Sequence, residues 1–379
     1  MIKLNEEHEI FRNNLRKFVD NEIVPYIDEW EEKREIPHSL WKKMGSLGYL
    51  CPYVDIDYGG SGVGFEYSVI IIEELGRVNV GLGIISHNDI LVPYLTRHGT
   101  KKQKEKWLPG CTTGDYIMAI AMTEPDTGSD VSAIRTTAVK DGDHYIINGS
   151  KTFITNGYNT NLVVLACKTD VNAIPPTKGV SLIVVEEGSP GFSKGKKLNK
   201  LGLHIEDTAE LFFDNCRVPI ANLLGEEGKG FNNLMSGLQR ERLVACTWGQ
   251  IMAEQILKEG IEYAKTREAF GQPIGNFQHN AFKIAEMATE VELGRTFLDK
   301  LTEDFIAGKD IVTKVSMGKW WISEMANRIA YHCLQLHGGY GYMEEYPICR
   351  LFRDVRSQTL YAGTTEIMKL IISRNLGFR

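Results

Sequence analysis

His144-Tyr-Ile-Ile-Asn-Gly-Ser-Lys-Thr-Phe-Ile-Thr155 is the stretch at which the chain changes its hydrophobic period. Two runs rich in β-branched residues, His144–Ile147 and Thr152–Thr155, flank Asn148-Gly149, a dipeptide that favours the positive backbone dihedrals of a tight hairpin turn. The spacing predicts two strands joined there. Farther on, Leu162–Ala166, Val180–Val185 and Ala209–Phe213 are short and rich in Val, Ile, Leu and Phe. They are bounded by turn residues such as Pro175, Pro176, Gly188 and Pro190. A compact antiparallel β domain is expected over residues 121–228.

Both flanks carry the helical period instead. Ile10, Phe11, Leu15, Phe18, Val19 and Ile23 follow Asn5 and its acidic neighbours, which resemble a helix start. Gly59, Gly60, Gly62 and Gly64 read as a loop. Helices resume over Tyr67–Leu75 and a stretch ending near His98, and Lys101–Lys106 opens a short one. After Gly230 come three long patterns, Phe231–Lys265, Phe277–Ile306 and Val312–Leu336, the last stopped by Gly338-Gly339; Thr365–Asn375 closes the chain. Helices, then strands, then helices exclude an alternating parallel βαβ sheet. The expected division is an all-α domain at 1–120, the β domain, and an antiparallel helical bundle at 229–379.

With 43% hydrophobic residues over 379 positions, the chain can bury a large core in two or three domains. Its formal net charge of −6 gives no basis for binding a polyanion broadly, which argues against a nucleic-acid partner. Seven scattered cysteines without a CxxC pair fit a reducing compartment. The opening MIKLNEEHEIF is unlike a secretory or transit signal, and no apolar run reaches membrane-spanning length, so a cytoplasmic location is expected.

The chain has no GxGxxG after a strand, no GxxxxGK[ST], no GxSxG and no HExxH. His332 and His337 are five apart, off one helical face, and no metal site is expected. Two segments concentrate small and polar residues, Met122-Thr-Glu-Pro-Asp-Thr-Gly-Ser-Asp130 and Lys151-Thr-Phe-Ile-Thr-Asn-Gly157. Either could be a plain turn, or could offer backbone N–H groups and short side chains to a planar or anionic ligand.

MTEPDTGSD, KTFITNG, REAFGQPIGNFQ, QLHGGYGYMEEYP and the terminal YAGTTEIMK stand in the order and spacing of acyl-CoA dehydrogenases, and the resemblance spans almost the whole chain. It implies a multidomain fold: an N-terminal helical domain, a central β barrel and a C-terminal four-helix bundle, usually assembled as a homotetramer. It also implies FAD as cofactor, oxidation of an acyl-CoA to a 2-enoyl thioester, and an electron-transfer flavoprotein as acceptor. Met122, Thr123, Gly128 and Ser129 match the first flavin loop, and Phe153, Ile154 and Thr155 match the segment lying against the isoalloxazine ring. Arg267, Phe270, Gln278, Gln335, Gly338 and Gly339 resemble residues that a neighbouring subunit offers to the FAD pyrophosphate and adenosine. Thr364 and Glu366 match a further cofactor contact at a helix N-terminus, where a simple cap is the other reading. Ser129, Gln239, Arg242, Tyr361, Gly363 and Arg374 match substrate-side positions, with Gln239, Arg242 and Arg374 on the pantetheine or nucleotide of CoA.

Many family members place a catalytic glutamate before the Gly-Thr of the last motif, where this chain has Ala362. Leu234, Leu238, Glu241, Ala245, Trp248 and Met252 recur at three and four, which puts Glu241 in an apolar stripe. Burial there would raise its proton affinity towards that of a general base. The same position carries the base in isovaleryl- and long-chain-type members, which Gln239-Arg-Glu-Arg-Leu243 resembles. The other reading turns Glu241 outward to pair with Arg240 or a lysine. Asp89 lies on a helix that lines the acyl pocket in this family; it either caps a helix or meets a polar or cyclic acyl group, taking a proton in a 1,4-type dehydrogenation. A carrier-protein thioester as substrate, or a flavin-binding DNA-associated protein without turnover, are the competing functions.

Overall fold

The computed structural model describes residues 4–378; Met1 to Lys3 and Arg379, at the outer ends of the first and third expected domains, lie outside them. Seven helices come first: α1 (Glu6–Glu22), α2 (Ile27–Lys33), α3 (His38–Ser46), α4 (Phe65–Arg77), α5 (Leu82–Ser86), α6 (Val92–His98) and α7 (Lys101–Thr113). Asn5 caps α1 by accepting from the His8 amide. Helix α7 is twice the length expected from Lys101–Lys106. Its capping box, Thr100 with Gln103, fixes the start, and the chain stays helical through Pro109 to a left-handed Gly114.

Strands β1 (Met118–Ala121), β2 (Thr137–Asp141), β3 (His144–Thr155), β4 (Leu162–Lys168), β5 (Val180–Glu186), β6 (Phe192–Lys197) and β7 (Thr208–Pro219) form one sheet in the order β1-β4-β2-β3-β7-β6, with β5 on β4. No turn forms at Asn148-Gly149. β3 runs through it as one strand with a register shift, and the hairpin closes earlier at Gly142, φ +60°. Glycine is needed at 149 because a Cβ there would sit 2.5 Å from the Thr136 hydroxyl: the signal marks a close approach, not a reversal. The sheet is also mixed where an antiparallel one was expected, since β1 runs parallel to β4. The basic run Ser193–Lys197 lies in strand β6, with Lys194 paired to Glu187 and Lys197 to Glu35.

β4 is apolar at successive positions because both its faces are buried. Val163, Leu165 and Cys167 face the barrel interior, whereas Leu162, Val164 and Ala166 pack in a second core with Leu91, Leu95, Trp107 and Leu234. That second core seats the β domain on the helices.

The last part contains α8 (Gly230–Thr266), a two-stranded ribbon of β8 (Glu268–Ala269) and β9 (Gln272–Pro273), α9 (Gln278–Ile306), α10 (Val312–His337), α11 (Pro347–Val355) and α12 (Thr365–Asn375). The largest core is shared by the N-terminal helices and this bundle: Ile70, Ile71 and Leu75 of α4 meet Trp248 and Met252 of α8. The contact brings α6 alongside α8.

Candidate active site

Glu241 is 5% exposed and points inward, and Arg240 is engaged elsewhere, so the outward pairing does not form. The Tyr94 hydroxyl donates to Glu241 Oε1 at 2.5 Å and lies 3.4 Å from the Leu234 carbonyl. Gly237, one turn before Glu241, makes this contact possible: a Cβ there would lie 2.6 Å from the Tyr94 hydroxyl and 3.0 Å from Glu241 Oε1. Glycine inside a helix costs about 1 kcal/mol relative to alanine; here it provides the space. On the facing side, His87–Leu91 forms a π turn between α5 and α6. Pro93 has no N–H for a bond back to the carbonyl four residues earlier, and the wider turn accommodates it.

Burial raises the Glu241 pKa to about 7, against the opposing effects of the Tyr94 hydrogen bond and the Arg242 and Arg97 charges. Desolvation is the larger effect. Glu241, Tyr94, Gly237, Ile90, Pro93, Arg97, Asp89 and Arg240 line one small cavity. Asp89 is fully buried, and its Oδ1 accepts from the Arg240 guanidinium at 2.5 Å while Oδ2 has no protein partner.

Arg242 points away from that cavity. It is 4% exposed, lies 3.5 Å from the Ser316 hydroxyl, and is depressed from its usual pKa by burial. Beside it Lys319, brought down to about 8 by burial, donates to the Gly363 carbonyl at 2.6 Å. Ala362 and Gly363 are both left-handed, φ +53° and +89°, and the buried Tyr361 hydroxyl has no protein partner. Thr364 caps α12 by accepting from the Ile367 amide, with Glu366 exposed in the first turn. Gln239 accepts from the Ile311 amide at 3.0 Å, and Arg374 is exposed on the last turn of α12.

The two polar segments are stitched together by a residue whose role the sequence did not reveal. Lys151, 1% exposed, donates to the Met122 carbonyl at 3.0 Å and to Glu124 at 2.9 Å, while the Thr152 amide donates to the Thr123 carbonyl. A register shift between Lys151 and Ile154 turns Phe153 outward, at φ +58° and 69% exposed. Ile154 is buried behind it, Thr155 is half-buried, and Gly128 and Ser129 are exposed, with open space beside Gly128. An exposed ring on a strained backbone, flanked by hydroxyls and a bare loop, suits a planar flavin.

A second open groove is lined by Tyr263, Arg267, Ile274, Leu336, His337, Gly338, Gly339, Tyr340 and Met343. A Cβ on Gly338 or Gly339 would meet nothing within 4 Å, so side chains there would project into the groove. Phe270, Gln278 and Gln335 are exposed nearby in sequence. An arginine with open backbone suits a pyrophosphate.

Sequence reasoning missed Tyr94, Gly237, Lys151 and Lys319. Only Lys151 carried a local signal, a lysine among alternating strand residues; the others acquire their roles through contacts 44 to 147 positions away.

Three family descriptions match in succession: acyl-CoA dehydrogenase N-terminal domain over residues 5–115, middle domain over 119–216 and C-terminal domain over 228–377. The long-chain specific acyl-CoA dehydrogenase of Rattus norvegicus is 43% identical over 373 residues, covering 98% of this chain and 87% of that protein. The isovaleryl-CoA dehydrogenase of Pongo abelii is 38% identical over 375 residues, covering 98% and 89%. The crystal structure of an acyl-CoA dehydrogenase from Geobacillus kaustophilus superposes with a TM-score of 0.98 at 56% identity, covering 99% of both chains.

Proposed function

The chain belongs to the acyl-CoA dehydrogenase family and is an FAD-dependent acyl-CoA dehydrogenase, and from that premise we propose that Glu241 is its catalytic base. The observation that supports this is the buried carboxylate held by Tyr94 in the lining of a cavity, in a chain with alanine at position 362. Glu241 takes the proton from the carbon next to the thioester carbonyl. The Gly363 amide donates to the carbonyl oxygen and stabilises the charge that develops there. Bound FAD supplies the hydride acceptor, and an electron-transfer flavoprotein, the partner the family resemblance implies, takes the electrons onward.

Met122, Thr123, Gly128, Ser129, Phe153, Ile154 and Thr155 would hold the flavin end, and Arg267, Phe270, Gln278, Gln335, Gly338 and Gly339 the pyrophosphate and adenosine of a neighbour's cofactor. The exposure of Arg267, Phe270 and Gln278 supports a homo-oligomer, for which we propose the family's tetramer. Phe282 and Leu293 of α9, 61% and 59% exposed, offer apolar surface for it. Among the described residues no helix is long and apolar enough to cross a membrane, and all seven cysteines are unbridged, which supports the cytoplasmic placement.

The test is product analysis. FAD-loaded enzyme with a dye acceptor should convert an acyl-CoA to its 2-enoyl-CoA, and Glu241→Gln should not while retaining flavin. Full turnover by the variant would put the base elsewhere.

A further inference from the structure

We propose that the buried Asp89–Arg240 pair forms the floor of the acyl cavity and confines this enzyme to short acyl chains. The inference rests on Glu241 being the base, because the base marks where the reacting carbon sits. Glu241, Asp89 and Arg240 line the same cavity, so an acyl tail running past the base meets the pair.

The pair is held firmly. Asp89 is fully buried, and its Oδ1 accepts from Arg240 Nη2 at 2.5 Å. The Arg240 guanidinium lies 4.4 Å from the Tyr53 ring centroid and 4.9 Å from that of Phe65, with the Ser68 hydroxyl 3.5 Å away. Both rings favour the cation, and swinging Arg240 aside would leave Asp89 charged and unpaired in the interior. The floor therefore does not open as a flexible apolar side chain would.

Its chemistry also rejects a methyl terminus. Asp89 Oδ2 and Arg240 Nε are buried without protein partners. An apolar tail pressed against them would bury a carboxylate oxygen and an N–H with no hydrogen bond to either. On this reading an acyl tail long enough to reach the pair must displace it, which sets a palmitoyl group at a disadvantage to a butyryl group. The chain length in the rat relative's name does not transfer to this protein.

The experiment compares FAD-loaded wild type with Asp89→Gly/Arg240→Gln, which removes both charges and leaves neither unpaired. Initial rates are taken with butyryl-, octanoyl- and palmitoyl-CoA and a dye acceptor. Wild type should favour butyryl- over palmitoyl-CoA by at least about tenfold in kcat/KM, and the variant should raise the octanoyl-to-butyryl ratio by at least about tenfold. A wild type that prefers palmitoyl-CoA overturns the proposal whatever the variant does, including failure to fold. So does an unchanged ratio in a folded, flavin-replete variant. Oxidation of none of the three by wild type would overturn the functional reading as well, and is told apart from a failed floor by the missing butyryl-CoA turnover.

Discussion

The Tyr94 hydroxyl and Glu241 Oε1 lie 2.5 Å apart, joining α6 to α8 across 147 positions of sequence. The contact holds the carboxylate in one rotamer and partly offsets the burial that raises its pKa to about 7. A general base works best with a pKa near the working pH, and this pair sets Glu241 there.

As the proposed base Glu241 would act deprotonated, so kcat/KM for the free enzyme should rise with pH through an inflection near 7 and level off above it. Tyr94→Phe removes the hydrogen bond that favours the anion, and its inflection should move upward. Its rate should fall severalfold at neutral pH and recover in alkali. A pH–rate profile of both enzymes checks this; an unmoved inflection would separate Tyr94 from the base.

The same shift affects stability. Between the ordinary value of 4.5 and about 7, the folded state keeps a proton that the unfolded chain has released. Stability therefore falls as pH rises through that window, by up to about 3 kcal/mol once pH exceeds the folded value. Glu241→Gln has no such loss and should melt higher than wild type at about pH 8, with the difference vanishing near pH 4.5. Calorimetry at both pH values gives the answer.

Lys151 joins the Met122 carbonyl to Glu124, which also accepts from the Arg135 and Thr136 amides. Lys151→Met leaves a buried carboxylate without its cation, a loss of about 3–5 kcal/mol. The loop proposed to hold the flavin should loosen, and FAD should dissociate on dilution where wild type retains it. Fluorescence of released flavin measures this.

Lys319 fixes the Gly363 carbonyl at 2.6 Å and with it the direction of the neighbouring amides. Lys319→Met should lower kcat by about 10- to 100-fold with little change in KM, because the misdirected amide loses stabilisation of the transition state rather than of the bound substrate. Steady-state kinetics beside a melting curve separate this from general destabilisation.

Much of the architecture was legible locally. The long helices α8, α9 and α10 declared themselves by period, because each buries residues spaced three and four apart along one face. Asn148-Gly149 misled because the same glycine freedom serves a turn or a close approach, and only Thr136, brought in by β2, decides between them. Glu241 was legible as a carboxylate in an apolar stripe beside a missing glutamate. Its partner was not, since nothing near Tyr94 in sequence shows that Gly237 leaves room for its hydroxyl. Asp89 stood out only through the family's pocket-lining helix, and its engagement with Arg240 is a tertiary fact.

The central claim is that Glu241 removes the α proton. The most direct measurement is anaerobic stopped-flow bleaching of the bound flavin by butyryl-CoA, wild type against Glu241→Gln at equal flavin content. Fast bleaching in wild type and a loss of at least about a thousandfold in the variant is the expected result. Comparable bleaching in the two enzymes would contradict the assignment and place the base on another residue.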